Sequence, residues 1–317
     1  MKIFYKKRFP SGRRDIYFCN IKIYSYNHKI NQYRLVNYKT YNDLATDVKN
    51  NMHKIPTDID LVVGVPRSGM IPAYIIGLAL NKKVCSINEF LNGFYGDNGI
   101  TRPINSSTMR VKRVLVVDDT VNTGTSINTV KRKLTQNYDD IDFFFLAVYS
   151  TDKKSDSFVD LSLAHLNQPR IFQWNYLYHN IIKYSCYDMD GVLCADPSDE
   201  ENDDGEKYVH FIQNAKPLYV PNFNIGCIIT SRLEKYRALT EKWLKDNNIK
   251  YDKLYMLDAT AEQRRRNNLH AKFKAKIYKN LKDYVLFIES EPHQAAEIAK
   301  LSGKPCICCK NDKLYGG

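Results

Sequence analysis

Long hydrophobic runs are absent from this 317-residue sequence. No apolar stretch approaches the roughly 20 residues that span a bilayer, so we expect no contact with a membrane. The first residues, from Met1 to Arg8, are too polar and too often interrupted by lysine and arginine for a secretory signal peptide. The sequence therefore predicts a cytoplasmic protein.

Regular cysteine spacings are absent as well. The 8 cysteines are scattered along the chain, which excludes the disulfide framework of a small secreted domain and fits reduced thiols. Cys306, Cys308 and Cys309 are close together but lack partner ligands at the spacing of a zinc site. We expect them to end a strand.

Acidic residues are outnumbered by basic ones, 35 against 47, which gives a net charge of +12. This excess suits nucleic acid and, equally, small anionic substrates, so both stay open as partners. The sequence also leaves open whether the chain forms a homo-oligomer. Its length favours two domains, and a hydrophobic content of 44% is enough for two packed cores.

The most informative stretch runs from Val114 to Ile127. Its first residues are apolar and rich in valine, and they predict a buried strand that ends at Asp118 and Asp119. A short loop of small hydroxyl-bearing residues then leads into a helix, which presents backbone N–H groups and a partial positive charge to a phosphate. Gly124 allows close approach. The two carboxylates can accept hydrogen bonds from sugar hydroxyls or hold Mg²⁺ through water.

This stretch resembles the signature with which type I phosphoribosyltransferases bind 5-phosphoribosyl 1-pyrophosphate (PRPP): an apolar strand, an acidic pair, then Thr-Gly-x-Ser/Thr. The resemblance implies that Asp118 and Asp119 bind the ribose hydroxyls and that the loop cradles the 5-phosphate. The loop residues it assigns to PRPP are Thr120, Asn122, Thr123, Gly124, Thr125 and Ser126. The alternative is an ordinary strand-to-helix turn with a capping hydroxyl.

A second predicted strand, from Asp60 to Val65, leads into the loop Arg67-Ser68-Gly69. The resembled family has a pyrophosphate-binding loop at this place. Arg67 would donate to pyrophosphate oxygens in a planar fork, and the other two residues would offer backbone N–H groups at a helix start. A plain turn with a surface arginine is the alternative.

Residues 88–113 form a predicted long loop, and loops of this length are usually functional or disordered. The resemblance implies a mobile loop that closes over PRPP, with Arg102, and Arg110 as a second candidate, reaching the pyrophosphate. A solvated hairpin with surface cations is the alternative.

One departure from the family bears on the substrate. Purine-salvage members carry an Asp three residues after the second residue of the acidic pair, where it helps to deprotonate the base. This chain has Asn122 there, and an amide is not a base at neutral pH. An orotate-like or unusual heterocycle is therefore the expected acceptor.

A second centre of chemistry begins at residues 184–193. A predicted strand delivers Asp188, and Asp190 lies two residues further on, so that one carboxylate can attack a phosphorus while the other moves protons. The segment resembles the first motif of haloacid dehalogenase-like (HAD) hydrolases, Asp-x-Asp-Gly-Val/Thr-Leu. The second carboxylate is typical of the phosphatases in that superfamily and is missing from its dehalogenases. An acidic turn is the alternative.

The remaining motifs of that family follow in its order. By resemblance, Thr230 binds the phosphate with Ser231 as its neighbour, and a lysine neutralises the phosphoryl group. Lys274 and Lys276 are both candidates for that lysine. Glu289 is assigned to Mg²⁺ together with Asp188 and Asp190, although the family more often has Asp at the position of Glu289.

The insert between the first two motifs is too short for a large cap domain. Its acidic part, residues 196–206, is expected to be a solvated flap, with a lid as the alternative. The segment from Thr230 to Leu244 is similar to the 3′-phosphatase domain of polynucleotide kinases. Arg264 to Arg266 are expected to form a solvated helix face, with a phosphate contact as the alternative.

The predicted fold class is α/β, with two Rossmann-like parallel-sheet domains. A type I phosphoribosyltransferase fold is expected at residues 1–178, and a HAD-like phosphatase fold with a minimal cap at residues 179–317. The predicted protein is a bifunctional enzyme of nucleotide metabolism. It would transfer phosphoribose from PRPP to a nucleobase-like acceptor and hydrolyse a phosphomonoester with Mg²⁺ through an aspartyl-phosphate, giving a nucleoside-like product.

Two other functions compete with this prediction. One is a nucleic-acid end-processing 3′-phosphatase whose first domain binds sugar-phosphate without turnover, which the charge of +12 favours. The other is a PRPP sensor without enzymatic activity. Intact Arg67 and Asp188 argue against the sensor, because a sensor has no need of a nucleophile.

Overall fold

The computed structural model describes residues 4–8, 13–18, 21–27, 36–100 and 110–316. The chain divides into two compact units, residues 39–170 and residues 1–38 together with 171–317. This division differs from the predicted boundary at residue 178. The difference arises because Val36 and Tyr38 pack in the core that contains Tyr176, and the rings of Tyr38 and Tyr176 meet edge to face at 6.4 Å.

The first described strands form a three-stranded antiparallel sheet. Alternating Tyr or Ile with Lys or Arg gives these strands the two-residue period of extended backbone. They are β1 (Phe4–Arg8), β2 (Arg13–Phe18) and β3 (Ile21–Asn27).

The unit of residues 39–170 is built on a five-stranded sheet in the order β6-β5-β7-β8-β9, and all of its strand pairs are parallel. Its core strand residues Val114 to Val117 are completely buried, as the valine-rich run predicts. The strands of this part of the chain are β4 (Asn37–Lys39), β5 (Leu61–Gly64), β6 (Lys83–Ser86), β7 (Arg113–Val121), β8 (Asp142–Ser150) and β9 (Leu161–His165). The helices are α1 (Tyr41–Asn51), α2 (Met70–Leu80), α3 (Ile87–Leu91), α4 (Thr125–Thr135) and α5 (Lys153–Asp156).

Local sequence accounts for several helix starts in this unit. The Thr40 hydroxyl accepts from Asp43 N at 3.0 Å while the Asp43 carboxylate accepts from Thr40 N at 2.8 Å, a capping box that begins α1. Helix α2 begins at Met70, directly after the Arg67-Ser68-Gly69 loop.

The strand order creates a crevice beside β7. After β5 the chain turns to β6 on one side, and after β7 it turns to β8 on the other. Ligands of open parallel sheets bind at such a switch point, outside the carboxyl ends of the strands. The loop after β5 carries Arg67, and the last residues of β7 itself carry the acidic pair.

The second unit contains a six-stranded sheet in the order β13-β12-β11-β14-β15-β16, antiparallel only between β15 and β16. Apolar clusters cover both faces of the sheet, one around Ile228 and Trp243 and one around Phe287 and Tyr278. The strands are β10 (Arg170–Phe172), β11 (Ser185–Tyr187), β12 (Cys227–Leu233), β13 (Leu254–Leu257), β14 (Leu286–Glu289), β15 (Cys306–Cys308) and β16 (Lys313–Tyr315). The helices are α6 (Glu206–Asn214), α7 (Arg237–Asp246), α8 (Ala261–Arg266), α9 (Leu269–Asn280) and α10 (Pro292–Ser302).

Short 3-10 helices occur at Met52–Lys54, Tyr176–Tyr178, Asn180–Tyr184 and Glu234–Tyr236. Within the ranges that the structure describes, no helix combines the length and the apolar composition needed to cross a membrane.

Candidate active sites

The acidic pair lies inside strand β7 and not at its end. The strand continues to Val121 because Val121 still pairs with Ser150 of β8. Asp118 is 8% exposed and Asp119 is 6% exposed, and Asp119 N donates to Asp118 Oδ1 at 2.9 Å. Burial and the neighbouring charge of Asp119 raise the pKa of Asp118 to about 8. Two buried carboxylates at the carboxyl edge of a parallel sheet are suited to binding polar hydroxyl donors.

The loop after β7 presents exposed polar groups and an open helix end. Asn122, Thr123, Thr125 and Ser126 are exposed, Thr120 is half-buried and Gly124 is buried. No side chain of the described residues caps the N-terminus of α4. The N–H groups of its first turn therefore remain available to an anion.

Gly124 is required by the geometry of this turn. Its φ of +74° is in the left-handed region, and a Cβ there would lie 2.6 Å from the ring of Phe158. The positive φ and the short distance to Phe158 both favour glycine. The absence of a side chain lets the start of α4 pack against the turn that follows α5.

Residues outside the motif hold the back of the loop. Asn122 Oδ1 accepts from the Thr151 hydroxyl at 3.1 Å, and Asn122 O accepts from the Ser155 hydroxyl at 3.0 Å. Arg170, which is 6% exposed, donates to Val121 O at 3.1 Å and to Thr151 Oγ1 at 3.3 Å. Arg170 was not among the predicted site residues, since nothing in the sequence links it to a loop that lies so far along the chain.

The Arg67-Ser68-Gly69 loop lies against the same end of β7. Val65 N donates to Val117 O at 2.9 Å, and a Cβ on Gly69 would lie 2.8 Å from Val117 O and 3.0 Å from Asp118 Cα. Arg67 is exposed and Ser68 is half-buried. The structure therefore brings this loop next to the acidic pair, as the strand order requires.

The predicted long loop is only partly within the described residues. Its first part forms α3, which ends at Leu91. Arg102 lies outside the described residues. Arg110 is exposed and its guanidinium lies 3.7 Å from the Asp140 carboxylate.

The second candidate site is centred on a buried lysine. Lys274, 1% exposed, donates to Asp188 Oδ2, to Glu289 Oε2 at 2.7 Å and to Gln294 Oε1 at 3.0 Å. Asp188 and Glu289 come together because they follow paired residues of β11 and β14. Burial, helped by the charge of Glu289 and opposed by that of Lys274, raises the pKa of Asp188 to about 7.

The other candidate lysine does not join this group. Lys276 is exposed, whereas Ala271, Lys274, Ala275 and Tyr278 form the buried face of α9. These four positions have helical spacing, so the apolar periodicity alone could have selected Lys274. No comparable pattern in the sequence points to Gln294.

Asp190 is bound by an arginine that was not among the predicted site residues. Arg232 Nε lies 3.1 Å from both carboxylate oxygens of Asp190, and its NH2 group donates to Oδ1 at 2.5 Å. Burial raises the pKa of this carboxyl, but the guanidinium outweighs it and holds the pKa of Asp190 below its usual range. Arg232 lies two residues after Thr230 on β12, so strand alternation places both on one face and could have identified it.

Thr230 and Ser231 end the apolar part of β12. Thr230 is 1% exposed, and its hydroxyl accepts from Arg232 N at 3.1 Å. Ser231 Oγ shares a hydrogen bond of 3.1 Å with His270 Nδ1. Burial and the nearby charges of Arg264 and Lys274 lower the pKa of His270 to about 4, which keeps the ring neutral near pH 7.

The described residues contain no cluster of three or more His, Cys, Asp or Glu side chains arranged to hold a metal. Of the three predicted ligands, Asp190 is bound to Arg232, whereas Asp188 and Glu289 share one ammonium. Two carboxylates opposite one positive charge leave a net negative charge. Mg²⁺ prefers hard oxygen ligands and is commonly held by one or two carboxylates plus water. The donor set of Asp188 and Glu289 fits that ion.

Comparison with known proteins concerns the first of these sites. Residues 37–154, less than half of the chain, match the family model described as the phosphoribosyl transferase domain. This match supports phosphoribosyl transfer by that part of the chain and, with it, small-molecule substrates. A search of curated protein sequences gave no match to this chain.

Three solved structures illustrate the structural similarity. Xanthine-guanine-hypoxanthine phosphoribosyltransferase from Helicobacter pylori is 21% identical, with 44% of this chain and 94% of that chain covered and a TM-score of 0.35. Purine phosphoribosyltransferase from Pyrococcus horikoshii is 21% identical, with coverages of 44% and 93% and a TM-score of 0.33. Orotate phosphoribosyltransferase from Aeropyrum pernix is 20% identical, with coverages of 50% and 85% and a TM-score of 0.29. These values are too low to assign a base or an activity to this chain.

Proposed function

We propose that the chain is a bifunctional enzyme that joins a nucleobase-like acceptor to the ribose 5-phosphate of PRPP and removes a phosphate from a phosphomonoester. The observation that carries the first activity is the buried acidic pair leading into the uncapped start of α4, within the region that matches the phosphoribosyl transferase domain. The observation that carries the second is Lys274 between Asp188 and Glu289.

In the transferase step, the groups of the first site divide the substrate between them. The N–H groups at the start of α4, with the hydroxyls of Thr123, Thr125 and Ser126, bind the 5-phosphate. Asp118 and Asp119 accept hydrogen bonds from the ribose hydroxyls, and Arg67 donates to the pyrophosphate. A ring nitrogen of the acceptor attacks C1, the bond from C1 to the pyrophosphate oxygen breaks, and pyrophosphate leaves with that electron pair. The proton of the acceptor passes to solvent, because Asn122 is not a base.

In the hydrolase step, an oxygen of Asp188 attacks the phosphorus and the ester oxygen leaves with the electron pair and takes up a proton. Water then attacks the aspartyl-phosphate, which releases phosphate and restores the carboxylate. The ester oxygen takes its proton from solvent, and Asp190, which Arg232 orients and keeps ionised, accepts a proton from the attacking water. Lys274, with Thr230, neutralises the phosphoryl oxygens. Mg²⁺, held by Asp188 and Glu289, would add positive charge beside them.

Release of pyrophosphate tests the transferase. The purified protein is incubated with Mg²⁺, PRPP and a panel of purines, pyrimidines and carboxylated heterocycles. At least one base is expected to yield pyrophosphate, and Asp119→Asn is expected to reduce the rate by more than about tenfold. The exposed Asp139→Asn change is the matched control. If no base consumes PRPP, the transferase proposal is wrong.

Release of phosphate tests the hydrolase separately. Nucleoside 5′-monophosphates and p-nitrophenyl phosphate serve as substrates with Mg²⁺ and without PRPP. Asp188→Asn is expected to abolish turnover, whereas Asp199→Asn, an exposed change in the acidic insert, is expected to leave it. Turnover that survives Asp188→Asn excludes the aspartyl-phosphate mechanism.

The nucleic-acid alternative receives no support from the second site. Arg232, which follows the Thr230-Ser231 pair, is 1% exposed and bound to Asp190. It is therefore not available to a polynucleotide backbone. Salt-dependent binding to DNA or RNA, with removal of terminal phosphates, would still favour that alternative.

A further inference from the structure

The proposed chemistry does not use a buried ion pair near the second site. Arg264 NH2 lies 3.0 and 3.1 Å from the two carboxylate oxygens of Asp204, and both side chains are 6% exposed. Arg264 belongs to α8, and Asp204 belongs to the acidic insert before α6. Arg265 and Arg266 are exposed, as expected for a solvated helix face, whereas Arg264 is buried.

Arg264 is linked to the phosphate-binding residues by a short chain of contacts. Its NH1 group donates to Ser231 O at 3.1 Å, and Ser231 in turn shares its hydroxyl hydrogen bond with His270. The positive charges of Arg264 and Lys274 both lower the pKa of the His270 ring. The Asp204–Arg264 pair therefore lies beside the second site and not on a remote surface.

The cations and hydrogen-bond donors around Asp204 are more numerous than its single carboxylate requires. Lys235 Nζ donates to Asp204 O at 3.0 Å, and Arg265 NH1 lies 3.9 Å from Asp204 Oδ2. Arg264 Nε is buried and has no hydrogen-bond partner among the described residues. Two guanidinium groups thus face one carboxylate, and Lys235 binds the backbone oxygen of the same residue. One buried donor remains unused, which is costly unless a ligand supplies an acceptor.

Asp204 holds the acidic insert there with a left-handed backbone conformation. Its φ is +54°, in a region that residues with a side chain adopt less readily than glycine. A ligand anion that displaces the Asp204 carboxylate would itself pair with Arg264. Exchange is therefore far cheaper than breaking the pair, because no buried charge is left alone.

We propose, building on the phosphatase function above, that Arg264, Arg265 and Lys235 form a subsite for a carboxylate on the heterocycle of a nucleoside monophosphate. Asp204 fills this subsite when the substrate is absent. A carboxylate is the favoured occupant because a carboxylate already fits the guanidinium there. A second phosphate on the sugar is the competing occupant that the experiment must distinguish.

Orotidine 5′-monophosphate and uridine 5′-monophosphate form a matched pair of probes that differ only by the carboxylate. Their affinities are measured by calorimetry with Mg²⁺ in the full chain carrying Asp188→Asn, which prevents turnover. The orotidine nucleotide is expected to bind about tenfold more tightly, the size of one charge-assisted hydrogen bond. Adding Arg264→Gln is expected to remove this preference, and adding Arg266→Gln, a neighbouring loss of the same charge, is expected to keep it.

The deciding quantity is the preference for the orotidine nucleotide in Arg264→Gln compared with that in Arg266→Gln. Binding of nucleotide at the phosphoribosyl site contributes equally to both variants and therefore cancels in this comparison. Asp204→Asn is a second variant that retains every cation, and it is expected to increase the preference by removing the competing anion. Equal affinities for the two nucleotides, no binding of either, or equal effects of the two arginine variants would overturn the subsite. A preference for uridine 3′,5′-bisphosphate over both would assign the place to phosphate and also overturn it.

Hydrolysis by the parent protein separates this inference from the proposed function. If phosphate is released from both nucleotides but the preference is absent, only the subsite is wrong. If the preference is present and depends on Arg264 but no phosphate is released, only the phosphatase proposal is wrong.

Discussion

At the residue scale, Lys274 is the clearest case of one side chain on which a whole site depends. It lies between the carboxylates of Asp188 and Glu289, and all three are nearly completely buried. Lys274→Met would leave two buried carboxylates without a cation. We expect the free energy of unfolding to fall by about 3–5 kcal/mol, as for other broken buried pairs.

Lys276→Met is the matched control, because Lys276 is an exposed lysine on the same helix. Its effect is expected to stay within about 0.5 kcal/mol. Urea denaturation followed by circular dichroism measures both variants. Equal destabilisation by the two would show that Lys274 does not hold the carboxylates together.

Asp118 gives the first site a pH dependence that can be measured. Its pKa rises from an ordinary 3.8 to about 8 in the folded protein, so between these values the folded chain binds a proton that the unfolded chain has released. The contribution of this residue to stability is therefore lost as pH rises, by up to about 1.4 kcal/mol per pH unit.

Asp118→Asn removes the ionisable group and should gain stability relative to the parent as pH rises from 4 to 8. Melting temperatures of the two proteins across this range give the measurement. The exposed Asp139→Asn change should run parallel to the parent. A constant difference between Asp118→Asn and the parent would contradict the raised pKa.

At the element scale, the turn from β7 to α4 is predicted to be the part of the first site that tolerates least change. Gly124→Ala would strain a φ of +74° and place a Cβ 2.6 Å from the Phe158 ring. We expect PRPP affinity to fall by more than about tenfold, since the N–H groups that face the phosphate would move with the turn. Calorimetric titration with PRPP and Mg²⁺ measures this.

Gly303→Ala is the matched control. Gly303 has a φ of +69° but no atom of the described residues within 4 Å of its potential Cβ, so this variant strains the backbone at a place outside the residues assigned to PRPP. It is expected to keep the affinity for PRPP. Equal loss of affinity in the two variants would contradict a specific role of the turn at Gly124.

Local patterns in the sequence predict these elements well and their assembly less well. Buried valine runs identify β5 and β7, because strand burial follows from residues that are neighbours in the chain. The extension of β7 past Asp119 depends on pairing with β8, and the anchoring of its loop depends on Arg170. Such long-range contacts leave no periodic trace in the sequence.

The second site shows the same limit within one element. Helical spacing on α9 could have selected Lys274 over Lys276, and strand alternation on β12 could have identified Arg232, since both patterns arise from local geometry. The prediction left both lysines open and did not include Arg232. The pairing of Arg264 with Asp204 was not predictable, because two α-helices, one 3-10 helix and two strands separate these residues in the chain.

At the scale of the whole molecule, the chain contains two parallel-sheet units, and each has polar side chains at the carboxyl edge of its sheet. The motifs predict a phosphoribosyltransferase-like part followed by a HAD-like part, and this order stays a prediction. They do not predict that residues 1–38 group with residues 171–317. Packing of Val36 and Tyr38 beside Tyr176 decides that grouping. Cutting the chain at residue 178 would separate Val36 and Tyr38 from most of this core, so both activities are best measured in the full chain.

The central claim is that one site makes a phosphorylated product that the other can dephosphorylate. Mass spectrometry tests it most directly, with the parent and Asp188→Asn proteins incubated with PRPP, Mg²⁺ and each base of the panel. The parent is expected to accumulate a nucleoside-like product, and Asp188→Asn is expected to accumulate the same product carrying a 5′-phosphate. Identical products from the two proteins, or no consumption of PRPP by either, would contradict the account.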